Sequence, residues 1–184
     1  MLSTLARTVL LVGACATATA AGGCGELDAN RFGSSERGVG TVVGVVDGDT
    51  LTVQTGGEKL RVRLLQIDAP ESSALRYGYA QCGGDEAKSY VETLLAKGTR
   101  ITLEYAGRDR TDRYDRQLAI VRLGSSDGPV VQEKILRAGW AQVYVFRGDK
   151  IRYFEQFTRV ARQAKRARVG VYAICAGDFD RRAG

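Results

Sequence analysis

Between residues 40 and 67 the chain is a succession of short runs rich in β-branched and aliphatic residues, broken by Asp47-Gly48-Asp49 and by Gly56-Gly57. Runs of this length separated by tight-turn dipeptides read as a meander of three strands over residues 41–46, 51–55 and 59–67. Two further strands are predicted at 100–105 and 117–123, and a short extended run at 141–146 adds to the sheet. Helical periodicity predicts three helices. The first runs from Asp85, as N-cap, to about residue 96, with Ala87, Val91, Leu94 and Leu95 on one face. The second spans 131–138 and stops at Gly139, and the third spans 152–168 with Phe154, Phe157, Val160, Ala161 and Ala164 in one stripe. The expected fold class is therefore α+β, a small barrel of five curled strands carrying three α-helices.

A chain of 184 residues with 44% apolar content can bury one good core, and one domain is expected. Residues 1–21 carry a single charge, Arg7, ahead of an apolar run from Thr8 to Ala21, which reads as a secretory signal. That run is shorter than the roughly 20 residues a spanning helix needs, which favours an exported chain over a retained anchor. Residues 24–39, polar and rich in Gly and Ser, read as a flexible tether; the domain is placed at 40–175 and a C-terminal tail at 176–184. Ala21-Gly22-Gly23-Cys24 also looks like a bacterial lipoprotein processing site, with Cys24 as the lipidated residue. It lacks the usual large aliphatic residue three positions earlier, and ordinary secretion with cleavage near Ala21 is the alternative. Once the exported part is considered alone, Cys82 and Cys175 remain in the domain; an oxidising compartment permits a disulfide between them, with two separate thiols as the alternative.

The chemistry is constrained by what is missing as well as what is present. The chain has no histidine, which removes the Ser-His-Asp triad, two-histidine ribonuclease chemistry and His-ligated zinc. A formal charge of +6 favours an anionic partner. Three carboxylates, Asp49, Asp68 and Glu71, fall in two short segments, Asp47-Gly48-Asp49-Thr50 and Arg63-Leu64-Leu65-Gln66-Ile67-Asp68-Ala69-Pro70-Glu71, and a third segment, Asp112-Arg113-Tyr114-Asp115-Arg116, brings a second arginine. Carboxylate oxygens are the ligands Ca²⁺ prefers, and guanidinium forks match phosphate in charge and shape. Taken singly, Asp49 reads as hairpin punctuation, Glu71 as a solvated loop group, and each arginine as a surface ion pair of under about 1 kcal/mol; it is their joint occurrence that points to phosphodiester chemistry.

In order and spacing these three motifs resemble the staphylococcal nuclease (thermonuclease) family over residues 42–172. The resemblance implies an OB-fold and a Ca²⁺ site made by Asp49, Asp68 and the backbone carbonyl of Ala69, where many relatives have Thr. It also implies Glu71 as the group that orients and deprotonates the attacking water, and Arg63 and Arg116 as the pair that stabilises the five-coordinate transition state. Arg113, Tyr114 and Tyr144 match positions that hold the terminal phosphate and the nucleotide. The implied activity is that of a Ca²⁺-dependent nuclease of DNA and RNA that leaves 3′-phosphate ends; with the N-terminal reading above, the expected protein is an exported monomer, and its one route to a membrane is the lipid on Cys24 that stands as the alternative to ordinary secretion. Asp115 stands where the family has glycine; aspartate tolerates a left-handed backbone, yet its carboxylate would compete with phosphate for a neighbouring arginine. The alternative is a catalytically silent OB-fold that binds nucleic acid or serves as a surface-tethered module.

Overall fold

The structure is a computed structural model that describes residues 36–74 and 78–184. The predicted signal, the Cys24 lipidation site and most of the predicted tether lie outside the described residues. Five strands, β1 (Glu36–Asp47), β2 (Thr50–Thr55), β3 (Glu58–Leu64), β5 (Arg100–Tyr105) and β6 (Gln117–Leu123), close into a barrel in the order β1-β2-β3-β6-β5. All neighbours are antiparallel except β3 and β6, which run parallel. This is the OB-fold barrel expected from the sequence, with its three helices α1 (Gly84–Leu94), α2 (Val131–Arg137) and α3 (Phe154–Ala167).

Closure depends on β1, whose first half pairs with β5 and whose second half pairs with β2. Register shifts between Val42 and Gly44 and between Val45 and Asp47 bend the strand around the barrel, as bulges do. Because pairing with β5 begins at Glu36, the domain starts four residues inside the stretch read as tether. Those residues are Glu36, Arg37, Gly38 and an exposed Val39, which bear no apolar alternation, so only their backbone pairing defines them.

Inward residues of the strands, among them Leu51, Val53, Val62, Leu64, Ile101 and Leu103, are fully buried and meet Val91 and Leu95 of the α1 region and Ile135, Leu136 and Phe157 of α2 and α3. Each such aliphatic side chain contributes about 1.5–3 kcal/mol relative to exposure. Gln132, also fully buried, fastens α2 to β6 by donating to the Ala119 carbonyl (2.9 Å) and accepting from the Val121 N–H (3.1 Å).

Three boundaries differ from expectation for local reasons. The strand predicted over 59–67 ends at Leu64, because Gln66 turns left-handed (φ 64°); Ile67–Asp68 then forms a separate short strand, β4, paired with β7 (Gln142–Val143). The extended run predicted at 141–146 shrinks to those two residues of β7. Asp85 is not the N-cap of α1: Gly83, at φ 83°, holds that place, and Asp85 lies in the first turn, where its charge suits the helix dipole. A fourth helix, α4 (Val171–Ile174), was not foreseen. Residues read as a tail are also packed, with Phe179 buried against Val171 and Cys175.

Candidate active site

At one end of the barrel the tight turn after β1 delivers Asp49 and Thr50 opposite Arg63 of β3. The turn needs glycine at position 48, since a Cβ there would stand 2.6 Å from that of Ala69 and 3.0 Å from that of Ala87. Asp49 and Asp68, distant in sequence, converge on a single nitrogen: Arg63 Nη2 lies 3.0 Å from Asp49 Oδ2 and 2.9 Å from Asp68 Oδ1. Asp49 Oδ2 also accepts the Ala69 N–H (3.0 Å), and its Oδ1 accepts the Thr50 hydroxyl (3.0 Å). Arg63 Nη1 donates to the carbonyls of Leu64 (2.9 Å) and Ile67 (2.7 Å), so the break at Gln66 supplies part of the cradle that fixes this guanidinium.

Two buried or half-buried carboxylates thus share one positive charge. Burial pushes the carboxyl of Asp49 up to about 8; Arg63 and the Ala69 N–H pull it down, while Asp47 and Asp68 add to the rise. Desolvation penalises an ionised carboxylate unless enough positive charge is near, and one guanidinium is not enough here. The donor set, carboxylate oxygens with Arg63 Nη2 already seated between them as a positive group, fits a hard divalent cation. Among the described residues no group of three or more His, Cys, Asp and Glu side chains is clustered to hold a metal ion, so a cation at this place would draw on these two carboxylates and backbone or substrate oxygens.

Arg116 reaches the same network from the other side. The loop before β6 is closed by Asp112: its Oδ1 accepts the N–H groups of Tyr114 (2.9 Å) and Arg116 (3.1 Å), and its Oδ2 accepts Arg116 Nε (2.8 Å) and Nη2 (2.7 Å). Burial would raise the Asp112 carboxyl, but these four bonds and the charge of Arg116 outweigh it and hold the group below its usual range. Arg116 Nη1 contacts Thr50 Oγ1 at 3.3 Å, which links both guanidiniums through Thr50 and Asp49. Asp115 adopts φ 58°, the conformation a glycine would take, and the carboxylate that pairs with Arg116 is Asp112 rather than Asp115. Asp112 is a site residue whose role no sequence motif above assigns, although an aspartate accepting the N–H two residues on is a known turn device.

Beside this network opens a cleft of about 790 Å³ whose wall includes Arg63, Asp68, Arg113, Tyr114, Arg116 and Tyr144, together with Phe146 and Arg147, which the sequence reading did not single out. Tyr114, Tyr144 and Phe146 are each about half exposed (55%, 46% and 54%), an arrangement suited to stacking on bases. Arg113 donates to the Tyr114 hydroxyl (2.6 Å) and lies over its ring at 4.8 Å. Asp49 and Glu71 do not line the cleft. Glu71 is half-buried behind Pro70, two residues beyond Ala69; its N–H donates to Gln81 Oε1 (2.7 Å), and its carbonyl accepts the Gln81 N–H (2.9 Å). Cys82 and Cys175 form a disulfide that ties the loop before α1 to the end of α4.

Residues 61–173 match the family model described as staphylococcal nuclease homologue. The chain belongs to the staphylococcal nuclease family. Among its relatives are the endonuclease YncB of Bacillus subtilis, 33% identical over 70% of this chain and 58% of that one, and the SPbeta prophage-derived endonuclease YokF of the same organism, 34% identical over 70% of this chain and 42% of that one. The match therefore spans about half the length of these two proteins. A thermonuclease of Staphylococcus hyicus is 29% identical over 72% of this chain and 74% of its own length. In this member of the staphylococcal nuclease family, Arg63, Asp68, Glu71 and Arg116 fall inside the matched segment, whereas Asp49 precedes it and joins the site through the barrel.

Proposed function

We propose that this chain is an exported, monomeric, Ca²⁺-dependent nuclease that hydrolyses the 5′ P–O bond of DNA and RNA and leaves 3′-phosphate ends. The observation that carries this reading is the convergence of Asp49 and Asp68 on Arg63 at the edge of a cleft that also holds Arg116, Arg113 and two exposed tyrosines. Asp49, Asp68 and the Ala69 carbonyl would hold Ca²⁺, which when bound supplies positive charge to a phosphate oxygen. Glu71 takes the proton from the attacking water. Arg63, fixed by carbonyls on one nitrogen and carboxylates on the other, keeps its charge in place without reorganisation; Arg116 gives up its long contact to Thr50 and turns Nη1 to the phosphate as negative charge accumulates. Arg113, Tyr114 and Tyr144 hold the neighbouring phosphate and base, and stacking of this kind is tolerant of sequence. Endonuclease activity in the two B. subtilis relatives supports the reaction class.

Export is supported by the Cys82–Cys175 disulfide, since such bonds persist in oxidising compartments. On this reading the mature protein is either released or held by a lipid on Cys24. The test is nicking of plasmid DNA and of a single-stranded RNA by wild type and Glu71→Gln, with millimolar Ca²⁺ and with chelator. Cutting in Ca²⁺ alone, lowered in the variant by roughly 10²–10⁴-fold, is expected. Undiminished cutting in chelator contradicts the metal role, and oligonucleotide binding without any cutting would instead identify a silent binding module.

A further inference from the structure

The backbone of Glu71 is held at both of its polar atoms by one residue. Gln81 receives the Glu71 N–H on its side-chain oxygen and donates its own N–H to the Glu71 carbonyl. Gln81 is 5% exposed, and its Nε2 donates to Asp180 Oδ1 (3.2 Å). On the other side of Glu71 the start of α1 presses so close that a Cβ at Gly84 would lie 2.4 Å from the Glu71 carbonyl oxygen.

What holds Gln81 is the end of the chain. Gln81 forms an antiparallel bridge with Arg182, the Cys82 N–H donates to the Arg181 carbonyl (2.6 Å), and the Ala183 N–H donates to the Ala80 carbonyl (2.9 Å). The disulfide from Cys82 to Cys175 anchors both partners of this bridge, and Phe179 buries against Val171 and Cys175 beneath it. Every tail residue in the brace lies beyond residue 173, where the match to the family model ends.

We propose that Gln81 is a positioning residue for Glu71, braced by the C-terminal segment and the Cys82–Cys175 disulfide, so that the rate of cutting depends on contacts made by residues 175–183. This rests on the reading of Glu71 as the group that deprotonates water. A base displaced by about 1 Å loses on the order of 100-fold in rate, whereas ground-state binding in the cleft is untouched. The effect of losing the brace therefore falls on kcat and not on KM.

The test uses the full chain with Ca²⁺ and a single-stranded DNA oligonucleotide, comparing wild type, Gln81→Met, Gln81→Glu/Asp180→Asn, Glu71→Gln and the Glu71→Gln/Gln81→Met double variant, with thermal melts of each. Gln81→Met is expected to lower kcat by roughly 10- to 100-fold with KM little changed. The Gln81→Glu/Asp180→Asn pair, which keeps an acceptor for the Glu71 N–H and exchanges donor and acceptor across the contact to position 180, recovers most of that loss. In the Glu71→Gln background the Met substitution has no further effect, because there is no base left to misplace. An impaired Glu71→Gln beside a fully active Gln81→Met overturns the positioning role while leaving the base intact. Equal losses from Gln81→Met in both backgrounds overturn it as well, and a fully active Glu71→Gln removes the base reading and the brace's purpose with it. Should Gln81→Met melt below the assay temperature, Asp180→Ala, which touches Gln81 from the exposed side, replaces it: a several-fold kcat loss only where Glu71 is present supports the proposal, and no loss refutes it.

Discussion

Two clusters of ionic groups are built into this barrel, and their charge balance is opposite. On β5, Glu104 is fully buried and accepts Arg152 Nη2 at 2.6 Å, Arg122 Nε at 3.4 Å and the Tyr153 hydroxyl at 3.0 Å. Arg122 goes on to donate to the Gly128 carbonyl (2.8 Å) and to Tyr153 (2.7 Å). One carboxylate there is surrounded by two guanidiniums and a phenol. At the cleft, by contrast, Asp49 and Asp68 share Arg63, and the second guanidinium, Arg116, is committed to Asp112. A surplus of donors around a buried acid makes a fastening between β5, β6 and α3; a surplus of acid beside an open cleft leaves a place for added positive charge. Residue types alone do not separate the two, since both are arginines and carboxylates.

The contrast can be broken experimentally. The largest effect is expected at the cleft: Arg116→Ala should lower kcat roughly 10²–10³-fold, the usual loss when one transition-state donor is removed, with a smaller loss of stability of about 1 kcal/mol as Asp112 loses its ion-pair partner. Glu104→Gln should do the reverse, destabilising the fold by about 3 kcal/mol because two guanidiniums lose their counter-charge, while the folded fraction cuts at the wild-type rate. Urea titration and single-turnover cutting of both variants decide it, and a Glu104 variant that is stable but inactive would abolish the distinction.

A third prediction concerns pH. Because the folded carboxyl of Asp49 sits near 8 and the unfolded one at 3.8, the folded state holds the proton more tightly. In chelator, the stability this proton confers is complete below the unfolded value and is lost as pH rises through the folded one. Asp49→Asn should therefore show a flatter stability profile between pH 4 and 8 than wild type; parallel profiles would mean that Asp49 carries no such burden. The smallest effect is expected from Asp115→Gly. Relief of the left-handed backbone at φ 58° should add up to about 1 kcal/mol to stability, readable as a small rise in melting temperature, with Arg116 still held by Asp112.

Much of this was legible in the sequence because each signal was local. Strands β5 and β6 agree with expectation to the residue, and the apolar stripes of α1 and α3 contain the large side chains those helices bury, Val91, Phe157 and Val160, whereas Leu94, Phe154 and Ala161 of the same stripes are only partly buried. The break at Gln66 was not, since a polar residue between Leu65 and Ile67 preserves the alternation of a continuous strand. Its left-handed backbone is held by distant contacts, the Tyr144 N–H donating to its carbonyl and its own side-chain Nε2 donating to the Asp149 carbonyl. Helix α4 is too short to show a period. Gln81 and Asp112 act through hydrogen bonds to backbone, which leave no trace in composition or periodicity.

The double pairing of β1 also dictates how the protein can be trimmed. A fragment cut at the boundaries of the matched family segment, residues 61–173, would lack β1 and β2, the two strands that carry the barrel round from β5 to β3, along with Asp49 and half of the disulfide. Its sheet would end in two open edges presenting unpaired N–H and C=O groups to solvent, the usual template for chain-to-chain aggregation. A fragment that keeps the barrel closed and every contact of the C-terminal segment intact thus runs from Glu36 at one end through Ala183 at the other.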